Sequence, residues 1–335
     1  MTVLGARMEE DMRAQPQVLR ALAAQRPPDV GPRPTGIVIV ARGSSDYAAI
    51  FGRYLIEAAT GMPVALAAPS LRTLYGVEPR LDGWLAVGIS QSGRTPEIRT
   101  VLDSYGRAGA RTLAITNDPD SPLAQAADHS VALGAGDEAA VPATKTFTAQ
   151  LAALALVAEA LGPVSWEESD WKRVPDAVEE VLADFGPAEE AAARLDGAGE
   201  LVALGRGFLM PIALEAALKL REAAGLRAEG WSAADFRHGP VTVAGADLPA
   251  LAVSAAGPAA ADVDELRREL AAGGAVVLRL ADEADADLPY PGDLAEPLRA
   301  LPAAVRAQQL ALAVARRRGL DADAPPGLRK VTPTR

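Results

Sequence analysis

Short runs of apolar, mostly β-branched residues alternate along the chain with longer helix-compatible stretches. The run that starts at Gly36 (GIVIVARGSSD) passes through a glycine turn into a stretch that can remain helical to Thr60. Val64 to Ala67 reads as a short strand and Trp84 to Ile89 as another, the latter ending in SQSGRT. Pro96 to Gly109 fits a helix, with proline in the first turn, where no N–H is needed. Thr112–Thr116 and Val131–Leu133 are further strands, and Thr144–Leu161 is a long apolar helix. Strands this uniformly apolar are buried on both faces. Their alternation with helices predicts an α/β fold with a parallel, doubly wound sheet. Ahead of them, residues 8–24 read as one amphipathic helix interrupted at Pro16 and stopped by the prolines of 26–34.

The second half repeats the scheme: strand Leu201–Leu204, a GRG turn, a helix over 211–224, strand Leu251–Ser254, a helix over 261–272, a strand over 275–280 and a helix over 303–318. Arg42-Gly43 recurs as Arg206-Gly207, and Ser90-Gln91-Ser92-Gly93 as Ser254-Ala255-Ala256-Gly257, both 164 residues further on. A shared offset is the mark of an internal duplication. The expected organisation is an N-terminal helix and linker (1–34), a first α/β domain (35–163), a charged helical connector (164–197), a second α/β domain (198–320) and an irregular tail (321–335). The second copy has alanines in place of Gln91 and Ser92, so one polar ligand site per chain is expected, in the first domain.

Composition narrows the chemistry. With 335 residues, 49% hydrophobic and 23% charged, the chain can bury two ordinary cores. The 33 basic and 44 acidic residues leave a net charge of -11. Such a surface repels a phosphate backbone or an anionic membrane, so neither nucleic acid nor membrane is an expected partner. A locally positive pocket for a small anion stays open. There is no cysteine, which excludes disulfides, a thiol nucleophile and thiolate metal sites; the two histidines, His129 and His238, are too few for a histidine-rich metal cluster. The N-terminal segment carries acidic residues and no apolar core run, unlike a signal peptide, and no stretch reaches the roughly 20 apolar residues of a membrane span. A cytoplasmic protein without metal or cofactor is expected.

SQSGRT (90–95) lies between a strand and a helix, at the strand carboxyl end where open parallel sheets bind ligands. Ser90, Ser92 and Thr95 offer hydroxyls, Gly93 lets backbone N–H groups turn inward, and the following helix presents its positive end. Ser44 and Ser45 stand on the neighbouring strand-end turn. Two such loops on successive strands favour a phosphate site over simple helix capping. A Walker loop and a dinucleotide fingerprint are both absent.

In LEAALKLREAAG (214–225), Lys219 and Glu222 are three apart and share a helix face. His238 sits in DFRHGP, where Gly239-Pro240 sets a turn, and Lys330 lies in the tail. Proton transfer on a sugar needs these groups: a carboxylate to carry a carbon-bound proton, an imidazole at the ring oxygen, and an ammonium to steady an enolate. Taken singly, a Lys/Glu pair also fits a solvated helix face and the histidine a structural turn.

The motifs ARGSSD (41–46), SQSGRT (90–95), ATKTFTAQ (143–150), GRG with ALEAALKLRE (205–222), RHGP (237–240) and LRKVT (328–332) occur in that order. Together they resemble the tandem sugar-isomerase (SIS) family, namely the isomerase part of glucosamine-6-phosphate synthase and the SIS-fold glucosamine-6-phosphate deaminases. The resemblance covers nearly the whole chain and implies two SIS domains. It implies that Ser45, Ser90, Gln91, Ser92 and Thr95 hold a sugar phosphate, with Gly43, Ser44 and Val141 as further substrate contacts. Glu222 is then the base for the C1/C2 proton, with Lys219 in support, His238 opening the ring and Lys330 reaching the site from the tail. A homodimer is also implied, with the His238 turn donated across the interface. Three features depart from the family pattern. No glutaminase segment precedes the first repeat, Pro326-Gly327-Leu328 replaces Arg-Asn-Leu, and Ala143-Thr144-Lys145 replaces Ser-Thr-Lys. The expected activity is glucosamine-6-phosphate deamination and isomerisation to fructose 6-phosphate. The alternatives are an N-acetylglucosamine-6-phosphate dehydratase using the same base, a fructosamine-6-phosphate deglycase, and a non-catalytic sugar-phosphate sensor.

Overall fold

The structure is a computed structural model that describes residues 3–330. Two helices open it, α1 (Ala6–Arg13) and α2 (Gln15–Ala23). The break comes at Ala14, not at Pro16 as expected. Proline is compatible with the first turn of a helix, so Pro16 sits inside the start of α2.

The first sheet contains β1 (Ile37–Val40), β2 (Val64–Leu66), β3 (Leu85–Ile89), β4 (Arg111–Thr116) and β5 (His129–Ala132). All pairs are parallel, in the order β2-β1-β3-β4-β5. The connecting helices are α3 (Ser44–Thr60), α4 (Ser70–Thr73), α5 (Pro96–Arg107), α6 (Pro122–Ala126) and α7 (Lys145–Leu161). Ile98, Val101, Leu102 and Tyr105 of α5 cluster with Val38, Val40, Ala86 and Ala114. The alternate strand residues Ile37, Ile39, Leu85 and Val87 are buried as well, and α3 packs against α7. Both faces of the sheet are therefore covered, which is why these strands are apolar throughout rather than alternating.

The remainder of the chain supplies α8 (Glu168–Ala183), α9 (Gly186–Ala193), β6 (Glu200–Gly205), α10 (Met210–Ala224), β7 (Arg227–Ser232), α11 (Ala233–Arg237), β8 (Ala250–Val253), α12 (Ala260–Ala272), β9 (Val277–Ala281), β10 (Leu288–Pro289) and α13 (Ala300–Arg317). Its sheet runs β7-β6-β8-β9-β10, the connectivity of the first sheet repeated strand for strand. The roles of the helices repeat too. α10 packs on α13 as α3 does on α7, and Val263, Leu266 and Leu270 of α12 cover Val202, Leu204, Ala250 and Ala252 as α5 covers its own sheet.

β7 has no counterpart in the strand pattern drawn from sequence. As an edge strand it pairs only with β6, and its RAEGWS composition, with charges and a glycine, reads as a loop. Residues 164–197, expected as a connector, form α8 and α9, and both pack on α13.

The chain divides into two compact units. Among the described residues, the first contains Val18–Asp137 and Lys145–Ser165, with Arg329 and Lys330 clustered to it. The second contains residues 3–17, Glu138–Thr144 and Trp166–Leu328. Within the second, the Ala140 N–H donates to the Asp11 carboxylate (2.9 Å), and Gln15 bonds Gln308 (3.0 Å). Among the described residues, no helix is long and apolar enough to cross a membrane.

Candidate active site

In the first unit, β1 and β3 are neighbours, with Val40 opposite Gly88, so the turns after them lie side by side at the carboxyl edge. Gly43 (φ 61°) begins α3, and Ser44 and Ser45 form its first turn, with Ser45 buried. Arg42 ties the two turns together: its Nε and Nη2 donate to the two Glu97 oxygens at 2.8 and 3.0 Å. The Glu97 carboxylate holds the Arg42 guanidinium above its ordinary pKa against the opposing effect of burial. Asp46 is pushed up by burial, with Arg42 opposing.

The SQSGRT turn is closed by the Gly93 N–H donating to the Ser90 carbonyl (3.1 Å). Gly93 has φ 61°, and a Cβ there would lie 2.7 Å from Thr116 Oγ1 and closer still to Ser121. Only glycine meets both conditions. Thr95 is the N-cap residue of α5 but makes no side-chain cap; its hydroxyl is 3.1 Å from Ser90 Oγ. Gly43 does not cap α3 through a side chain either. The hydroxyls at this edge are therefore largely unspent on capping, and two helices of 12 and 17 residues start beside them with open N–H groups. Ser92 Oγ accepts from the Arg94 N–H (3.2 Å), and the Gln91 carbonyl accepts from the Asn117 N–H (3.0 Å). Hydroxyls and helix N-termini gathered at one strand edge are donors of the kind a small anion takes.

The second unit presents a different chemistry. α10 begins with Pro211 in its first turn and ends at Gly225, whose φ of 59° gives a left-handed cap. Its buried face includes Glu215 and Lys219 among Ile212, Ala216 and Leu220. Lys219 Nζ is 3.3 Å from Glu215 Oε1 and bonds directly to Glu222 Oε2. Burial alone would lower the Lys219 pKa, but the Glu215 and Glu222 carboxylates outweigh it and hold the ammonium above its ordinary value. Lys219 is thus held in its charged form at neutral pH. Glu222 lies at the partly open end of this row, where a carboxylate can reach a substrate.

His238 follows α11, exposed, with Gly239 (φ 143°) and Pro240 turning the chain behind it. Among the described residues it makes no hydrogen bond or ion pair with Lys219 or Glu222. Val141 belongs to the second unit, where its N–H donates to the Asp323 carbonyl (3.0 Å). Lys330 is half-buried and clusters with the first unit; Val331 and Thr332 of the LRKVT motif lie outside the described residues.

Residues 34–160 match the SIS domain family. The chain is 30% identical to a provisionally assigned phosphosugar isomerase of Silicibacter pomeroyi whose crystal structure superposes with a TM-score of 0.82, over 95% of this chain and 99% of that one. The chain belongs to the SIS domain family. It is also 33% identical over 303 residues to the isomerizing glutamine–fructose-6-phosphate aminotransferase of Methanothermobacter thermautotrophicus. That match takes in 88% of this chain and 51% of the relative, so the chain spans about half the length of the curated relatives it resembles. The same fold recurs in glucosamine-6-phosphate deaminase of Thermotoga maritima (TM-score 0.81, 23% identity, 98% and 100% of the two chains).

Two residues of this SIS protein escaped the sequence reading. Glu215 completes a carboxylate–ammonium–carboxylate row at i, i+4 and i+7. The spacing was visible, but nothing in it marks an acidic residue on an alanine-rich face as buried. Arg42, part of the repeated Arg-Gly pair, joins the two strand-end turns through Glu97; that pairing spans 55 positions and is not legible along the chain.

Proposed function

We propose that this SIS protein acts on a hexose 6-phosphate bearing nitrogen at C2, and that Glu222 moves the C2 proton. The observation that carries this reading is the row on α10, a buried ammonium held between two carboxylates of which one, Glu222, keeps access to the exterior. The row sets the Lys219 ammonium directly beside Glu222, whose carboxylate is the type of group that takes a carbon-bound proton.

Ser45, Ser90, Gln91, Ser92 and Thr95 hold the phosphate, with Gly43, Ser44 and Val141 contacting the rest of the substrate. His238 moves a proton at the ring oxygen to open the sugar, and the homodimer partner supplies it to the site. Glu222 then takes the C2 proton of the open-chain aldehyde, and the electron pair moves onto C1 and its oxygen as an enolate that Lys330 stabilises. Return of the proton at C1 leaves a C2 imine. Water adds to that imine, ammonia departs, and fructose 6-phosphate remains. Support comes from the SQSGRT hydroxyls, which do not cap α5, from the α10 row, and from similarity to an isomerizing glutamine–fructose-6-phosphate aminotransferase and to a glucosamine-6-phosphate deaminase.

The test is mass spectrometry of the purified protein incubated separately with glucosamine 6-phosphate and its N-acetyl form. Release of ammonia and fructose 6-phosphate from the first is the expected result. Loss of water from the acetylated sugar, with the free amine untouched, would overturn deamination in favour of dehydration, and turnover of neither would overturn the reading.

A further inference from the structure

The duplication leaves a second strand-end crevice, at the carboxyl edge of β8 and β9 in the second unit. Its register matches the first. The Ser254 N–H donates to the Leu280 carbonyl as the Ser90 N–H does to that of Ile115, and Val253 faces Leu280 as Ile89 faces Ile115. Ala256 is therefore the counterpart of Ser92, Gly257 of Gly93, and Asp282 of Asn117.

The two crevices differ in what meets the loop. In the first, Asn117 turns away: its Nδ2 donates to the Gly136 carbonyl (2.7 Å) and its Oδ1 accepts from the Ala135 N–H (2.8 Å). In the second, both oxygens of Asp282 accept from the Ala256 N–H, each at 3.0 Å. Arg299 Nη1 donates to the same carboxylate at 2.6 Å and to the Ala256 carbonyl at 2.9 Å, while its Nε holds the Leu294 carbonyl at 2.7 Å. The pair is enclosed, with the Asp282 side chain 4% exposed and that of Arg299 16%. Glu296 closes the crevice beside Gly257, where a Cβ would meet its carboxyl at 2.5 Å. Burial raises the Glu296 pKa, with Arg299 opposing and Asp282 adding to the rise. Tyr290 completes the wall by donating its hydroxyl to the Ser254 carbonyl at 2.5 Å.

We propose that this second crevice is an anion site whose anion the chain itself supplies: the Asp282 carboxylate occupies the place of a phosphate against the Ala256 N–H and Arg299, and its removal opens a site for a small tetrahedral oxyanion. The class follows from the donors. A backbone N–H at a strand–loop–helix turn and a guanidinium held by two carbonyls are what phosphate and sulfate bind. Unlike most arginine–aspartate pairs, this one lies in a strand–loop–helix crevice, its carboxylate held against the loop's own N–H. The inference is independent of the reading of the α10 row.

The experiment uses Asp282→Ala in a Ser92→Ala background, so that the first crevice is weakened in every sample. Thermal unfolding is followed with inorganic phosphate or with chloride at matched ionic strength. Asp282→Ala is expected to lower Tm in chloride. Phosphate should then raise it by roughly 3–5 °C at tenfold above its dissociation constant, with no comparable rise when Asp282 is present. Adding Arg299→Met should abolish the gain. If Asp282→Ala does not fold in chloride, refolding yield in phosphate against chloride gives the same reading, and Asp282→Ser is the second variant. An equal response to phosphate with and without Asp282, or a gain that survives Arg299→Met, overturns the proposal. Failure of the SQSGRT edge to bind sugar phosphate leaves it intact.

Discussion

The ammonium of Lys219 bonds directly to the carboxylate of Glu222, yet Lys219 is 1% exposed and Glu222 20%. The pair therefore spans the boundary between core and exterior. Its buried member is neutralised from below by Glu215 and its outer member is presented to whatever binds above.

Lys219→Met should leave Glu215 as a buried carboxylate without its cation. Breaking a buried pair in this way costs about 3–5 kcal/mol. The pH dependence has a definite sign. Removing the Lys219 ammonium from beside the buried Glu215 disfavours the charged form of the carboxylate, so the variant is expected to keep its stability best at low pH and to lose it as pH rises. The wild-type Lys219, raised from 10.5, contributes stability that persists across this range and declines only as pH passes its folded value. Urea unfolding at pH 5 and pH 8 should show a larger deficit at pH 8. A deficit equal at both would mean that the carboxylates are not what the cation holds.

Glu222→Gln should preserve the fold while removing turnover. The amide is nearly isosteric and still bonds Lys219 through its oxygen, but it cannot take a carbon-bound proton, so about 10²–10⁴-fold of rate should go. The readout is exchange of the sugar C2 proton with solvent deuterium, followed by NMR. Exchange at the wild-type rate would assign the base elsewhere.

Ser92→Ala should raise KM for the phosphorylated sugar by roughly ten- to a hundredfold, the equivalent of ~1.5–3 kcal/mol for one charge-assisted hydrogen bond. Circular dichroism should stay unchanged, because Ser92 is only half-buried. A wild-type KM would exclude this hydroxyl from the phosphate site.

Gly93→Ala tests the loop rather than its side chains. The φ of 61° and the close approach of Ser121 and Thr116 act together, so a loss of about 2–4 kcal/mol is expected, along with sugar-phosphate binding. Calorimetric titration and thermal unfolding of the same variant check both. Unaltered stability would mean that the turn adapts without cost.

The sequence by itself determined the elements and their repetition. IVIV and LAVGI are apolar at every position because helices cover both faces of a parallel sheet, and the 164-residue offset exposed a duplication that the two sheet orders repeat strand for strand. It also picked out Ser90, Ser92, Thr95, Lys219 and Glu222, because turn glycines, hydroxyl clusters and helical spacing are local properties. Tertiary structure decided the rest. β7 is a strand only because β6 offers a ladder to an otherwise loop-like segment, and α8 and α9 join the second unit because α13 covers their apolar faces. A Lys/Glu pair three apart looks the same on paper whether solvated or enclosed; only the neighbours of α10 make Lys219 a buried cation and draw Glu215 into its row. The fate of the second crevice was likewise out of reach. Two alanines marked what it lacks, but Asp282 fills it from 26 positions away, and a contact across that separation exists only once the strands are paired.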